Sequence, residues 1–156
     1  MCHPLQNQYK ISLNGTLGEI VDLASELRKA AQQLDFSAQT DSQLNLLLEE
    51  LYTNSVNYGF PPGASVVSKT SAIPKITIEL VLQVQQLQIT YRDNGVAFNP
   101  LNADAPDLSL SLDERPIGGL GIFFVKTLTD HVEYSHDGEF NQISMRKNLA
   151  VPPVKD

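Results

Sequence analysis

LNLLLEELYTNSVNYGF, residues 44–60, reads as a helix with one buried stripe and one chemically unusual margin. Leu44, Leu47, Leu48, Leu51 and Ser55 recur at three- and four-residue intervals and therefore share a face, with Leu46 and Val56 falling off it. Glu50 and Asn54 flank one edge of that stripe. Being four apart they project side by side, whereas Glu49 turns towards the far face where water is expected. A carboxylate beside a carboxamide at the rim of a core can hold a hydroxyl or water with the first and a hard cation with the second. A Glu and an Asn on a helix surface are far more often simply solvated, so this pair needs support from the rest of the chain. The helix is expected to start near Thr40 or Asp41 and to end at Gly59, because Pro61 and Pro62 bar its continuation.

Upstream, Tyr9, Ile11 and Leu13 alternate with Lys10 and Ser12 as in a half-buried strand that Asn14-Gly15 closes. Thr16 and Glu19 have capping-box spacing, and Leu17, Ile20, Val21, Ala24, Leu27, Ala31 and Leu34 predict an amphipathic helix. Downstream, residues 59–74 read as loop. Ile76, Ile78, Leu80 and Leu82, then Leu87, Ile89 and Tyr91, predict two adjacent strands joined by a Gln-rich turn. About twenty residues rich in Asp, Ser, Leu and Pro follow Asp93-Asn94-Gly95, longer than a plain connector, and a lid is expected over about 96–118. Leu120 to Thr129 predicts a buried helix. Val132 and Tyr134, the Asp137-Gly138 turn, and Ile143 and Met145 predict a closing hairpin. This order implies an α/β fold of the α+β two-layer sandwich type, with helices packed on one face of a mixed β-sheet.

The composition bounds the function. A chain of 156 residues with 42% hydrophobic content fits a single domain spanning 1–156, with a core over about 8–148. Eleven Lys and Arg stand against 18 Asp and Glu, a formal charge of −7, and no basic run offers a footprint for nucleic acid. The single cysteine, Cys2, excludes an internal disulfide and suits a reducing cytoplasm. The N-terminus lacks signal-peptide features and no apolar run is long enough to span a membrane, so a soluble, unexported protein is expected.

Two glycine segments carry further chemistry. Asp93 at a strand end can accept a hydrogen bond from an exocyclic amine such as that of adenine, and Gly95 lets backbone approach a ring closely, although Asp-Asn-Gly is usually only a turn. Gly118, Gly119, Leu120 and Gly121 open an apolar helix, where backbone N–H groups and the helix dipole favour an anion. Neither a Walker loop nor a dinucleotide fingerprint is present. Arg115 on the same loop could neutralise phosphate charge. His131 at a helix-to-strand junction and His136 beside a turn read as surface or capping residues, and no histidine metal site is expected.

Taken together, Glu50-x-x-x-Asn54, Asp93-x-Gly95 and Gly119-x-Gly121 resemble, in identity and order, the N-box and the two glycine boxes of the gyrase, chaperone and histidine-kinase (GHKL, or Bergerat-fold) ATPases. DERPIGGLGIFFVKTLTDHVEY, residues 113–134, is especially similar to the anti-sigma-factor serine/threonine kinases within that group. The resemblance spans nearly the whole chain. It implies ATP and Mg2+ as cofactors: Asn54 as the metal ligand, Glu50 as general base, Asp93 on the adenine amine with Gly95 beside it, Gly119, Leu120 and Gly121 around the phosphates, and Arg115 near the terminal phosphate. It also implies an anti-sigma antagonist as phosphoacceptor, a sigma factor or similar regulatory protein as partner, and homodimers. Tyr58 stands where the N-box often ends in histidine, and Ala97 replaces a frequent glycine. The polar residue that often supports adenine from the last strand would be Asn141 or Gln142. The resemblance also leaves open a regulatory module that binds ATP without consuming it, and an ATPase without a protein acceptor.

Overall fold

The structure is a computed structural model that describes residues 7–60, 73–102 and 119–149, with the first two residues of the last segment described through their backbone alone. Five strands form one sheet: β1 (Gln8–Leu13), β2 (Ile76–Gln83), β3 (Gln86–Asp93), β4 (His131–His136) and β5 (Asn141–Asn148). Among the described residues the α-helices are α1 (Ile20–Leu34), α2 (Ala38–Asn54) and α3 (Gly119–Leu128). Strand alternation sends Ile11 and Leu13, Ile76, Ile78 and Leu80, Leu87, Ile89 and Tyr91, and Ile143 and Met145 into one core with the helices. α2 is central, packing on both α1 and α3.

The sheet corrects the expectation of mixed strands. Its order is β1-β2-β3-β5-β4, and all four pairings are antiparallel. The two helices between β1 and β2 carry the chain out and back, which returns it antiparallel. β3 and β4, with α3 between them, do run parallel, as a βαβ unit should. β5 then inserts between them, so no two neighbours run the same way.

Two local expectations also change. Thr16 makes no side-chain cap. The Glu19 carboxylate reaches back to the Asn14 backbone N–H (2.6 Å) and side-chain amide (3.0 Å) instead. Leu17–Glu19 form a 3-10 turn before α1 begins. Its tighter winding, three residues per turn, rotates the stripe by about 60° relative to an α-helical start. Leu23, Leu27, Ala30 and Leu34 are the buried face; Leu17 lies exposed on the 3-10 turn, and Val21, within α1 itself, sits about 120° round the helix from Leu27 and is exposed as well. α2 begins earlier than expected, with Ser37 as its cap: the Ser37 hydroxyl accepts from the Thr40 backbone N–H at 3.1 Å. Its predicted stripe is the buried one, joined by Tyr52, whose hydroxyl donates to the Thr16 carbonyl at 2.6 Å.

Candidate functional site

The helix does not stop cleanly at Asn54. Ser55–Gly59 form a π turn, a widened turn that often marks functional positions. Immediately after Asn54, this turn carries Ser55 into the core and brings Gly59 against the loop that leaves β3. The Val96 N–H donates to the Gly59 carbonyl at 2.9 Å. A Cβ on Gly95 would sit 2.6 Å from the Gly59 carbonyl oxygen and 2.9 Å from its Cα, so only glycine allows this crossing. Asn94 between them is structural: it bonds the Lys75 N–H and the Ile73 carbonyl, fixing the chain as it enters β2.

Asp93 is buried at the end of β3 and accepts three hydrogen bonds, from Ser55 Oγ (2.9 Å), the Gly95 N–H (3.0 Å) and Asn141 Nδ2 (3.0 Å). A carboxylate offers about four lone-pair sites, so one remains on Oδ2. Ser55 has one proton and gives it to Asp93. The one proton of the Tyr91 hydroxyl is then shared between two acceptors, Ser55 Oγ at 2.7 Å and the Leu51 carbonyl at 3.1 Å. Burial first, and then the neighbouring Asp93 charge, push the Tyr91 hydroxyl well above its ordinary pKa against the opposing pull of Ser55, which keeps it a donor. The chain Tyr91 to Ser55 to Asp93 thus presents Asp93 as an acceptor. Tyr91→Phe, which keeps the ring and loses the last donor, is expected to lower stability by about 1 kcal/mol. That corresponds to a fall of about 3 °C in the melting temperature. An unchanged melt would contradict this assignment of the protons.

Of Asn141 and Gln142, strand register puts Asn141 beside Asp93. Asn141 lies opposite Asp93 and on its face, whereas Gln142 is on the other face and bonds Ser144. The Asn141 amide also donates to the Val96 carbonyl (2.9 Å) and accepts from the Phe98 N–H (3.1 Å) and the Tyr134 hydroxyl. One side chain therefore ties β5, β3 and the start of the long loop together. Ala97 lies exposed on that loop, and Tyr58 is about half exposed on the π turn.

Glu50 and Asn54 meet the other side of the site. Gly121, in the first turn of α3, is buried against them: a Cβ there would lie 2.9 Å from Asn54 Nδ2, 3.2 Å from Glu50 Cβ and 3.3 Å from Glu50 Oε2. The N-terminal end of α3, whose first N–H groups have no partner within the helix, is thereby set against a carboxylate and a carboxamide. Glu49 has no such neighbour among the described residues, although it is no more exposed than Glu50. Neither Glu50 nor Asn54 makes a side-chain hydrogen bond with the described residues. Arg115 and Gly118 lie outside the described residues, as does most of the expected lid; Gly119 and Leu120 open α3.

The donor set fits a hard divalent cation that takes its remaining ligands from phosphate and water. Among the described residues no group of three or more His, Cys, Asp or Glu could hold a metal by itself. His131 pairs with Glu133 on the surface, and His136 accepts from the Gly138 N–H.

Helices on one face of a sheet, with a buried aspartate at a strand end and a glycine-opened helix facing a Glu/Asn pair, define the architecture of an ATP-binding domain. The family model described as the histidine kinase-like ATPase domain matches residues 13–147, and the chain belongs to that family. It is 28% identical over 130 residues to the serine-protein kinase RsbW of Listeria monocytogenes, covering 81% of this chain and 77% of that protein. It is 24% identical over 140 residues to the serine/threonine-protein kinase BtrW of Bordetella bronchiseptica, covering 90% and 93% respectively. The fold is similar to a crystal structure of the RsbU and RsbW domains of Rv1364c from Mycobacterium tuberculosis, with a TM-score of 0.63, 12% identity and 93% of this chain covered. This chain spans about a third, 33%, of that longer one. No helix among the described residues is long and apolar enough to cross a membrane.

Proposed function

We propose that this protein is an ATP-dependent serine/threonine protein kinase of the anti-sigma factor type, and that Glu50, Asn54, Asp93 and the first turn of α3 form its active site. The reading is carried by the approach of Gly121 to Glu50 and Asn54, which gathers the first turn of α3, a carboxylate and a carboxamide around one point. The open lone pair of Asp93 takes the exocyclic amine of adenine, and the crossing of Gly95 on Gly59 holds the Asp93 carboxylate in place for it. Backbone N–H groups at Gly119, Leu120 and Gly121 receive the phosphates, and Arg115 neutralises the terminal one. Asn54 holds Mg2+, which when bound screens the phosphate charge. Glu50 accepts the proton of a serine or threonine hydroxyl as its oxygen bonds the γ-phosphorus and the bond to the β-phosphate oxygen breaks, releasing ADP.

The names of the relatives support a protein acceptor. We assign that acceptor to an anti-sigma antagonist and the regulated partner to a sigma factor or similar protein, with pairing of copies as in the resembling group, in the cytoplasm. Calorimetry of ATP–Mg2+ binding is the first test. The wild type is expected to bind and Asn54→Ala to lose at least about tenfold in affinity; no binding by the wild type would end this reading. Transfer of labelled phosphate to a purified antagonist domain tests the kinase step.

A further inference from the structure

Among the described residues β1 is an outer strand, so half of its backbone groups have no partner in the described sheet. Hydrogen-bond parity identifies which half. The Leu82 N–H donates to the Asn7 carbonyl at 2.7 Å, and in an antiparallel pair such exchanging residues recur every second position. Tyr9, Ile11 and Leu13 therefore bond β2, and Gln8, Lys10, Ser12 and Asn14 turn their N–H and C=O groups outward. The other side of β2 agrees, since the Asn94 N–H bonds the Lys75 carbonyl and commits the alternate residues of β2 to β3.

Both ends of this open edge are closed by side chains. Gln33 Nε2 donates to the Gln8 carbonyl at 2.9 Å, and Glu19 accepts from the Asn14 N–H. Between them the outward groups of Lys10 and Ser12 face a depression of about 400 Å3, walled on its α1 side by Glu19, Asp22 and Glu26. Glu19 is held by Asn14, and Glu26 by Tyr9 and Lys29. Asp22 has neither a hydrogen bond nor an ion pair with the described residues.

We propose that this edge docks a short extended segment of a partner protein by strand addition, and that the segment carries Lys or Arg at alternate positions facing α1. Strand addition takes its affinity from main-chain bonds and its specificity from alternate side chains, which meet the acidic wall on one face and Lys10 and Ser12 on the other. A cationic segment also complements a chain of formal charge −7. A second copy is the poorer occupant, because it would bring a second acidic α1 alongside the first.

The test uses the full chain and a blocked synthetic peptide of alternating Thr and Lys, followed by calorimetry and amide hydrogen exchange. Saturable binding with slowed exchange at the Lys10 and Ser12 amides is expected. Asp22→Lys should weaken binding by about tenfold. Ser12→Pro should abolish it, because proline removes an outward donor that β2 does not use and is tolerated on such an edge. Wild-type far-UV spectra and cooperative melts of the two variants show that they fold; should Ser12→Pro unfold, Asp22→Lys and the amide exchange decide. Absence of saturable binding, binding indifferent to Asp22→Lys, equal binding of a Thr/Glu peptide, or a dimer in sedimentation that Ser12→Pro dissociates would each overturn the proposal.

Discussion

Glu50→Ala is expected to leave ATP–Mg2+ affinity within about threefold while lowering phosphoryl transfer by about 10²- to 10⁴-fold, the range a positioned general base contributes. The structure makes this separation possible. The Glu50 carboxylate bonds no described residue, so its removal leaves no buried partner unsatisfied, and Asn54 and Asp93 keep their positions. Alanine also keeps the Glu50 Cβ that faces Gly121, so the approach of α3 is undisturbed. Glu49→Ala is the control. It sits one residue away on the same helix and is similarly exposed, yet is not against Gly121, and should change neither quantity. Calorimetry and transfer of labelled γ-phosphate to an antagonist domain separate the outcomes. Equal losses from the two substitutions would remove Glu50 from the base role.

Gly95→Ala should act on both fold and site. Its methyl meets the backbone of Gly59 at 2.6 Å, and backbone cannot swing aside as the end of a long side chain can. Relief requires the two loops to part, breaking the Val96 to Gly59 hydrogen bond and loosening the Gly95 N–H that Asp93 accepts. Overpacking plus one lost hydrogen bond costs about 3 kcal/mol. The melting temperature should fall by about 10 °C, and ATP affinity should drop by at least about tenfold because Asp93 loses its fixed orientation. Gly18→Ala provides the comparison: nothing lies within 4 Å of a Cβ there, and a near-neutral melt is expected. A wild-type melt for Gly95→Ala would show that the crossing is looser than the structure has it.

What was legible in the sequence follows the range of each interaction. The strands declared themselves through alternation, and the buried stripe of α2 through its leucines, because these patterns reflect which side of one element faces the core. The direction of the sheet was not legible, since nothing near β3 or β4 says that β5 will enter between them. The α1 face was misread at Leu17 because one 3-10 turn changes the phase, and at Val21 because the stripe was drawn wider than the face that Leu23, Leu27, Ala30 and Leu34 bury; Thr16 lost its cap role when Glu19 found Asn14. Within the site, Glu50 and Asn54 were readable from spacing. Ser55 was assigned only to the buried stripe and Tyr91 only to a strand, since their hydrogen bonds join residues 36 and 38 positions apart. The parity of β5 against β3 was the one signal that could have separated Asn141 from Gln142, and it depends on a register that the sequence alone does not fix.

The insertion of β5 between β3 and β4 also sets an order of events during synthesis. Asp93 and Asn141 are 48 residues apart, so the polypeptide must emerge past Asn148 before the two can pair, long after α2 has formed. Pairings of such sequence separation are slow to close. A nascent chain halted before β5 would hold Glu50 and Asn54 yet lack the Asn141 amide that fixes Asp93. Nucleotide consequently cannot template the early stages of folding; it acts as a late clamp, favouring chains whose final strand has already docked.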